Sequence, residues 1–193
     1  MVKEICEKNS SVIPSRNEKK MRGIKWSNTW KNLEKTSGLN AIEKEFLWKL
    51  SQDMLLIGGR IHRGNVDKEC KNMQDGIQCR NIPDIMHTFV TCKGTEKDFT
   101  LLKDLIKEVN NADINTNEIL TISFTNRNRK RRVVIVWLTA KVLFGIFNKE
   151  NIKNTLEQLV RELEWYLKGQ VRIGSCKEMC RLKGTVENML QSE

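Results

Sequence analysis

The sequence predicts a mainly α-helical protein, one or more small helical domains with a single irregular, cysteine-rich loop. Three observations carry that expectation. Apolar residues recur in steps of three and four over several windows. Only two prolines and eleven glycines are available to break helices. Four residues with metal-ligating side chains, Cys70, Cys79, His87 and Cys92, fall in one stretch without helical periodicity. The organisation read from these features is a basic flexible arm over 1–25, a helix-plus-loop unit over 26–95 and a helical region over 96–193.

The arm is polar and carries Arg16, Lys19, Lys20, Arg22 and Lys25 close together. Trp26, Trp30 and Leu33 then fall at helical spacing, and Ser37-Gly38 breaks the segment. Asn40 can cap the next helix with Glu43 reaching back to it. Ile42, Phe46, Leu47, Leu50, Met54 and Ile57 predict one apolar face, ended by Gly58-Gly59. Residues 60–80 read as loop, and His87–Cys92 as a short turn or helix around Phe89. Phe99, Leu102, Leu105, Ile106 and Val109 predict a helix stopped by Asn110-Asn111. The stretch 118–124 suits either a helix or a strand. Val133–Phe147 is apolar on all sides; its β-branched opening hints at a strand, but its length favours a buried helix. Ile152, Leu156, Leu159, Leu163 and Tyr166 mark a further amphipathic helix that Gly169 closes. A last helix runs from Cys176 to Lys183 or on to Leu190.

Composition sets the class. Lys and Arg total 34 against 24 Asp and Glu, a formal net charge of +10. An apolar share of 39% is too high for a disordered chain and too low for a membrane protein. No window reaches the roughly 18 apolar residues of a membrane span. The start lacks the pattern of a secretory signal, so an intracellular location with reduced cysteines is expected. The basic excess points to a polyanionic partner. No Gly-x-x-x-x-Gly-Lys, His-Glu-x-x-His, Gly-x-Ser-x-Gly or Asp-Asp motif occurs, and no catalytic residue is assigned.

The pattern Cys70-x8-Cys79-x7-His87-x4-Cys92 offers three thiolates and one imidazole, a standard set for a closed, structural zinc site. Spacing alone leaves a second reading open, that of unrelated buried thiols and a surface imidazole. The x8 gap is wider than the usual two to four.

The motifs on either side of this loop form an ordered series: Trp26-Ser-Asn-Thr-Trp30, Glu45-Phe-Leu-Trp-Lys-Leu50, Gly59-Arg-Ile-His-Arg63, then Cys79 through His87-Thr-Phe-Val-Thr-Cys92. The series resembles the zinc-binding region that follows the polymerase domain in non-LTR retrotransposon reverse transcriptases. It covers about residues 24 to 95, with a looser match over 130–170. The resemblance implies that Cys79, His87 and Cys92 are zinc ligands. Cys70 departs from the family's Cys-x2-Cys first pair, which leaves Cys176, Cys180 and His62 as alternatives for the fourth ligand. It also implies a non-catalytic module that binds RNA or DNA beside a polymerase domain. Some relatives carry a nuclease with a Pro-Asp motif downstream; here Pro83-Asp84 lies inside the loop and none follows it.

Arg127, Arg129, Lys130, Arg131 and Arg132, with Lys19, Lys20 and Arg22 of the arm, are the candidate phosphate contacts, and the first group also resembles a nuclear import signal. The competing reading of Arg127–Arg132 is a solvated loop before a buried helix. Trp26, Trp30 and Trp48 could stack on bases, although core packing is the commoner use of such residues. A helical scaffold for a protein partner, ordered by a zinc loop, and an inactive retroelement remnant are the alternative readings of the whole.

Overall fold

A computed structural model describes residues 26–55, 57, 70, 73–74, 77–79, 81, 84–168 and 176–192. The arm with Lys19, Lys20 and Arg22, the Gly58-Gly59 pair and His62 lie outside the described residues. In chain order the elements are α1 (Trp26–Glu34), α2 (Ala41–Ser51), β1 (Met73–Gln74), β2 (Ile77–Gln78), the π-helix π1 (His87–Thr91), α3 (Glu96–Asn110), α4 (Thr116–Thr121), α5 (Arg129–Phe147), α6 (Ile152–Leu167) and α7 (Cys176–Ser192).

The centre of the molecule is α5. Twelve of its residues, from Val133 to Ile146, are buried, and α1, α2, α3, α6 and π1 all pack on it. A helix apolar on every side is stable only when enclosed in this way. Its β-branched opening does not make a strand, because neighbours on all sides reward burial regardless of local propensity. One charged group enters this setting at a defined place. Lys141 Nζ lies 2.6 Å from Glu43 Oε1 of α2 and 2.7 Å from Glu162 Oε1 of α6. Glu43 also closes the expected capping box with Asn40, so one carboxylate caps α2 and ties it to α5. Nearby, the Tyr166 hydroxyl donates to Gly38 O at 3.1 Å. Burial, aided by the Glu162 charge, pushes that phenol up to about 12.

One contiguous hydrophobic core runs from Leu33 to Val186. Phe99, Leu102, Leu105, Ile106 and Val109 are all buried on α3, and Asn111 ends that helix in the left-handed region (φ 57). The last helix continues to Ser192.

Three expectations are corrected. The face of α2 is shorter than its periodicity suggests. The helix ends at Ser51, Asp53 turns it with φ 55, and the amides of Asp53 and Met54 close on Leu50 O and Lys49 O. This is a Schellman stop made without glycine. Met54 is therefore exposed, Ile42 at the start of the helix is exposed as well, and Leu55 and Ile57 enter the core from irregular chain beyond the helix. Second, Trp30 is 47% exposed, and Leu33 takes the core position of α1. Third, the competing reading of the basic cluster as a loop fails for Arg129–Arg132, which form the first turn of α5, and holds for Arg127 ahead of the Asn128 cap.

The polar residues of the first motif hold the chain after α4. Thr29 Oγ1 donates to Thr121 O at 2.8 Å, and Asn32 Nδ2 to Ile122 O at 2.7 Å and Phe124 O at 3.1 Å. Asn28 Nδ2 reaches Ser123 O at 3.3 Å. These bonds satisfy buried carbonyls of a segment that has just left its helix. They also hold Ile122, a β-branched residue at φ 56, in the left-handed region that such residues rarely occupy.

Helices α5 and α6 approach each other tightly at Gly145. A Cβ at that position would lie 2.7 Å from Thr155 Oγ1. Gly145→Ala should lower stability in denaturant unfolding by about 1–3 kcal/mol, despite the better helix propensity of alanine. Adding Thr155→Ala should recover most of that stability. A single variant as stable as the parent would contradict this packing.

Candidate metal centre

The four residues that the spacing marks as ligands converge. One ligand atom from each of Cys70, Cys79, His87 and Cys92 lies within 4.8 Å of every other. Cys70 Sγ is 3.7 Å from Cys92 Sγ, and Cys79 Sγ is 3.5 Å from His87 Nε2. Three sulfurs and an imidazole nitrogen so placed can hold a metal ion. Cys92 is fully buried, Cys70 and His87 are nearly so, and Cys79 is half-buried. Cys70 thus completes the set. Cys180 is exposed on α7 and is not part of it.

Local structure explains the spacing. β1 and β2 pair antiparallel, Met73 with Gln78 and Gln74 with Ile77. The Cys70 amide donates to Asn81 O at 2.8 Å, in the same register. Side chains alternate along each strand, so Cys70 and the residue two before its partner, Cys79, share one face as diagonal neighbours. The pairing of β1 with β2 between them thus brings the two thiols back to one side. Asp75-Gly76, a strong two-residue hairpin signal, was the cue in the sequence.

The second pair depends on π1. The Cys92 amide bonds His87 O at 2.9 Å, an i→i+5 turn. An α-turn would stack Thr91 over His87; the wider π-turn stacks Cys92 there instead. His-x4-Cys therefore fits this backbone and not a regular α-helix. Phe89, fully buried on π1, anchors the turn to the core, where π1 packs on α3 and α5. Cys92 O accepts from the amides of Thr95 and Glu96, both at 2.8 Å, which joins the ligand to the start of α3.

Asp84 has a role that the ligand spacing does not reveal. Its Oδ1 accepts from the His87 amide at 2.7 Å, and its carbonyl accepts from the Thr88 amide at 2.8 Å. It is the N-cap of the turn that delivers the imidazole. An acidic residue three positions before His87 was the available signal.

The phosphate-contact candidates lie on another element. Arg127, Arg129 and Lys130 are exposed and Arg131 and Arg132 half-buried at the start of α5. Asn128 caps the helix by accepting from the amides of Lys130 and Arg131. Arg132 Nη1 donates to Asn126 O at 3.2 Å. No acidic residue stands in this first turn, so four cations add to the positive end of the helix dipole, an arrangement that favours an anion. Among the described residues, no helix is long and apolar enough to cross a membrane.

The chain matches no family model, no curated protein and no solved structure.

Asp84→Ala should cost about 1 kcal/mol of stability through removal of the cap and weaken metal affinity in a chelator competition, while Asp84→Asn, which keeps the acceptor, should retain both. Equal affinity for all three proteins would remove Asp84 from the site.

Proposed function

We propose that the chain is a non-catalytic nucleic-acid-binding module whose irregular segment is stabilised by zinc. The observation that carries the reading is the spacing of the four donors. Zinc with sulfur at 2.3 Å and nitrogen at 2.0–2.1 Å in a tetrahedron sets S···S edges of about 3.8 Å and S···N edges of about 3.5 Å. Two of the separations, 3.7 Å and 3.5 Å, suit edges of that tetrahedron, and all four donors lie within 4.8 Å of one another. Thiolate-rich donors favour zinc over magnesium or calcium, and four protein ligands leave no open position for a reacting water. Metal binding would then supply folding free energy to a segment that contributes few core residues of its own.

Nucleic-acid binding rests on charge. The net charge of +10 and the exposed cations at the head of α5 suit contact with phosphates, which positions a protein on nucleic acid without reading its sequence. The ordered motif series supports a place beside a reverse-transcriptase polymerase domain, where such a module would hold template or target. The same Arg127–Arg132 run would serve as a nuclear import signal.

A second reading, a scaffold for a protein partner, draws on the exposed Trp30 and Trp165. Binding to single-stranded RNA and to duplex DNA across a salt series separates the two. The favoured reading expects about one zinc per chain and an affinity that falls steeply with salt. Arg127→Ala, Arg129→Ala and Lys130→Ala together should flatten the slope by about 0.9 for every duplex-DNA phosphate they leave unneutralised. A slope unchanged by the triple variant, or no binding at low salt, would favour the scaffold.

A further inference from the structure

We infer that Cys79 makes the metal centre an oxidation-sensitive site, at which a hydroperoxide releases the ion by forming a disulfide within the cluster. This rests on the zinc reading above and adds regulation to that site. The structural basis is unequal protection of three close thiols. Cys92 is fully buried under π1, Cys70 is 8% exposed, and Cys79 alone of the three is half-buried at the edge of the hairpin. Ligation keeps all three sulfurs as thiolates, the nucleophilic form. A small oxidant from solvent therefore meets Cys79 first. Both other sulfurs lie within 4.8 Å of it, so a resolving thiolate is already in place, and a modest movement brings it to the roughly 2.05 Å of an S–S bond.

The chemistry balances in two steps. The Cys79 thiolate attacks one peroxide oxygen, and the O–O bond breaks. Two electrons pass from sulfur to the peroxide, a hydroxide leaves and takes a proton to become water, and Cys79 is left as a sulfenic acid. A second cluster thiolate then attacks the Cys79 sulfur. The S–S bond forms, the S–O bond breaks, and the departing hydroxide takes up a second proton as water. The sum is two thiolates, one hydrogen peroxide and two protons giving one disulfide and two waters. The ion then keeps only two of its four ligands and leaves. A dithiol reductant reverses the covalent change.

Cys180 of α7 is exposed but outside the cluster, so its oxidation does not discharge the metal. The test uses the full chain with Cys6, Cys176 and Cys180 replaced by Ser, loaded with zinc and treated with hydrogen peroxide. Released zinc is followed with a chromogenic chelator, and disulfides are mapped by mass spectrometry. The expected result is zinc release in step with one intramolecular disulfide that includes Cys79, with rebinding after reduction. Cys79→His, which keeps four ligands without an oxidisable one at that position, should release zinc roughly tenfold more slowly. If that variant fails to load, the disulfide map of the parent decides. Zinc retained under peroxide, or released with Cys79 still reduced and Cys70 joined to Cys92, overturns the inference while leaving the zinc reading standing. A reduced protein that binds no zinc removes the zinc reading, and this inference with it.

Discussion

Three sulfurs and one imidazole nitrogen packed within 4.8 Å of one another are the constraint on which the irregular part of this protein depends. As thiolates the sulfurs would repel one another in a largely buried setting, and a cation among them turns that cost into a bond network. The hairpin, the π-turn and the Asp84 cap each serve the placement of one or two of these atoms. None of the three is a large element. Two strands of two residues and a single widened turn gain little stability of their own. The proposed ion is what would make them one unit.

The helical body gives that unit something rigid to stand on. Phe89 reaches the core from π1, where it meets Phe46 of α2 with ring centroids 6.3 Å apart, and Cys92 runs directly into α3 through two backbone bonds. The core in turn is organised around α5, whose enclosed face carries one lysine bridging two carboxylates from different helices. Such a triad adds little net stability, because desolvation offsets the attraction, but removing Lys141 would leave the buried Glu43 carboxylate without its cation. Its contribution lies in the register it sets between α2, α5 and α6. The same helix carries its basic first turn to the surface at the other end, so the candidate phosphate contacts and the core share one element.

Much of the helical layout was legible because burial leaves a period in the sequence. The face of α3 emerges residue for residue, that of α6 at Leu156, Leu159, Leu163 and Tyr166 with Ile152 half-buried and Thr155 added, and the Asn40–Glu43 capping box follows from the local chemistry of a helix start. What failed was continuity. The α2 period runs on to Met54 and Ile57, but Asp53 adopts the left-handed conformation that glycine usually supplies, and nothing in periodicity announces that. The ligand quartet was legible as residue types and spacing. Cys70 belonged to that quartet by residue type, but the wide gap to Cys79 left alternatives for its place open, because what closes that gap is the pairing of two short strands. The pairing of His87 with Cys92 depends on a π-turn, which a search for three- and four-residue steps does not detect. The clamp of Asn28, Thr29 and Asn32 on residues 121–124 was hidden for another reason: it joins side chains to backbone carbonyls about 90 residues away, and carbonyls leave no mark on a sequence.

The most direct measurement of the central claim is X-ray absorption at the zinc edge on the reduced, full-length protein. The account predicts a first shell of three sulfurs at about 2.3 Å and one imidazole nitrogen at about 2.0–2.1 Å, with Cys70→Ser leaving two sulfurs. A shell of oxygen and nitrogen only, or one that keeps three sulfurs in the Cys70→Ser variant, would contradict it.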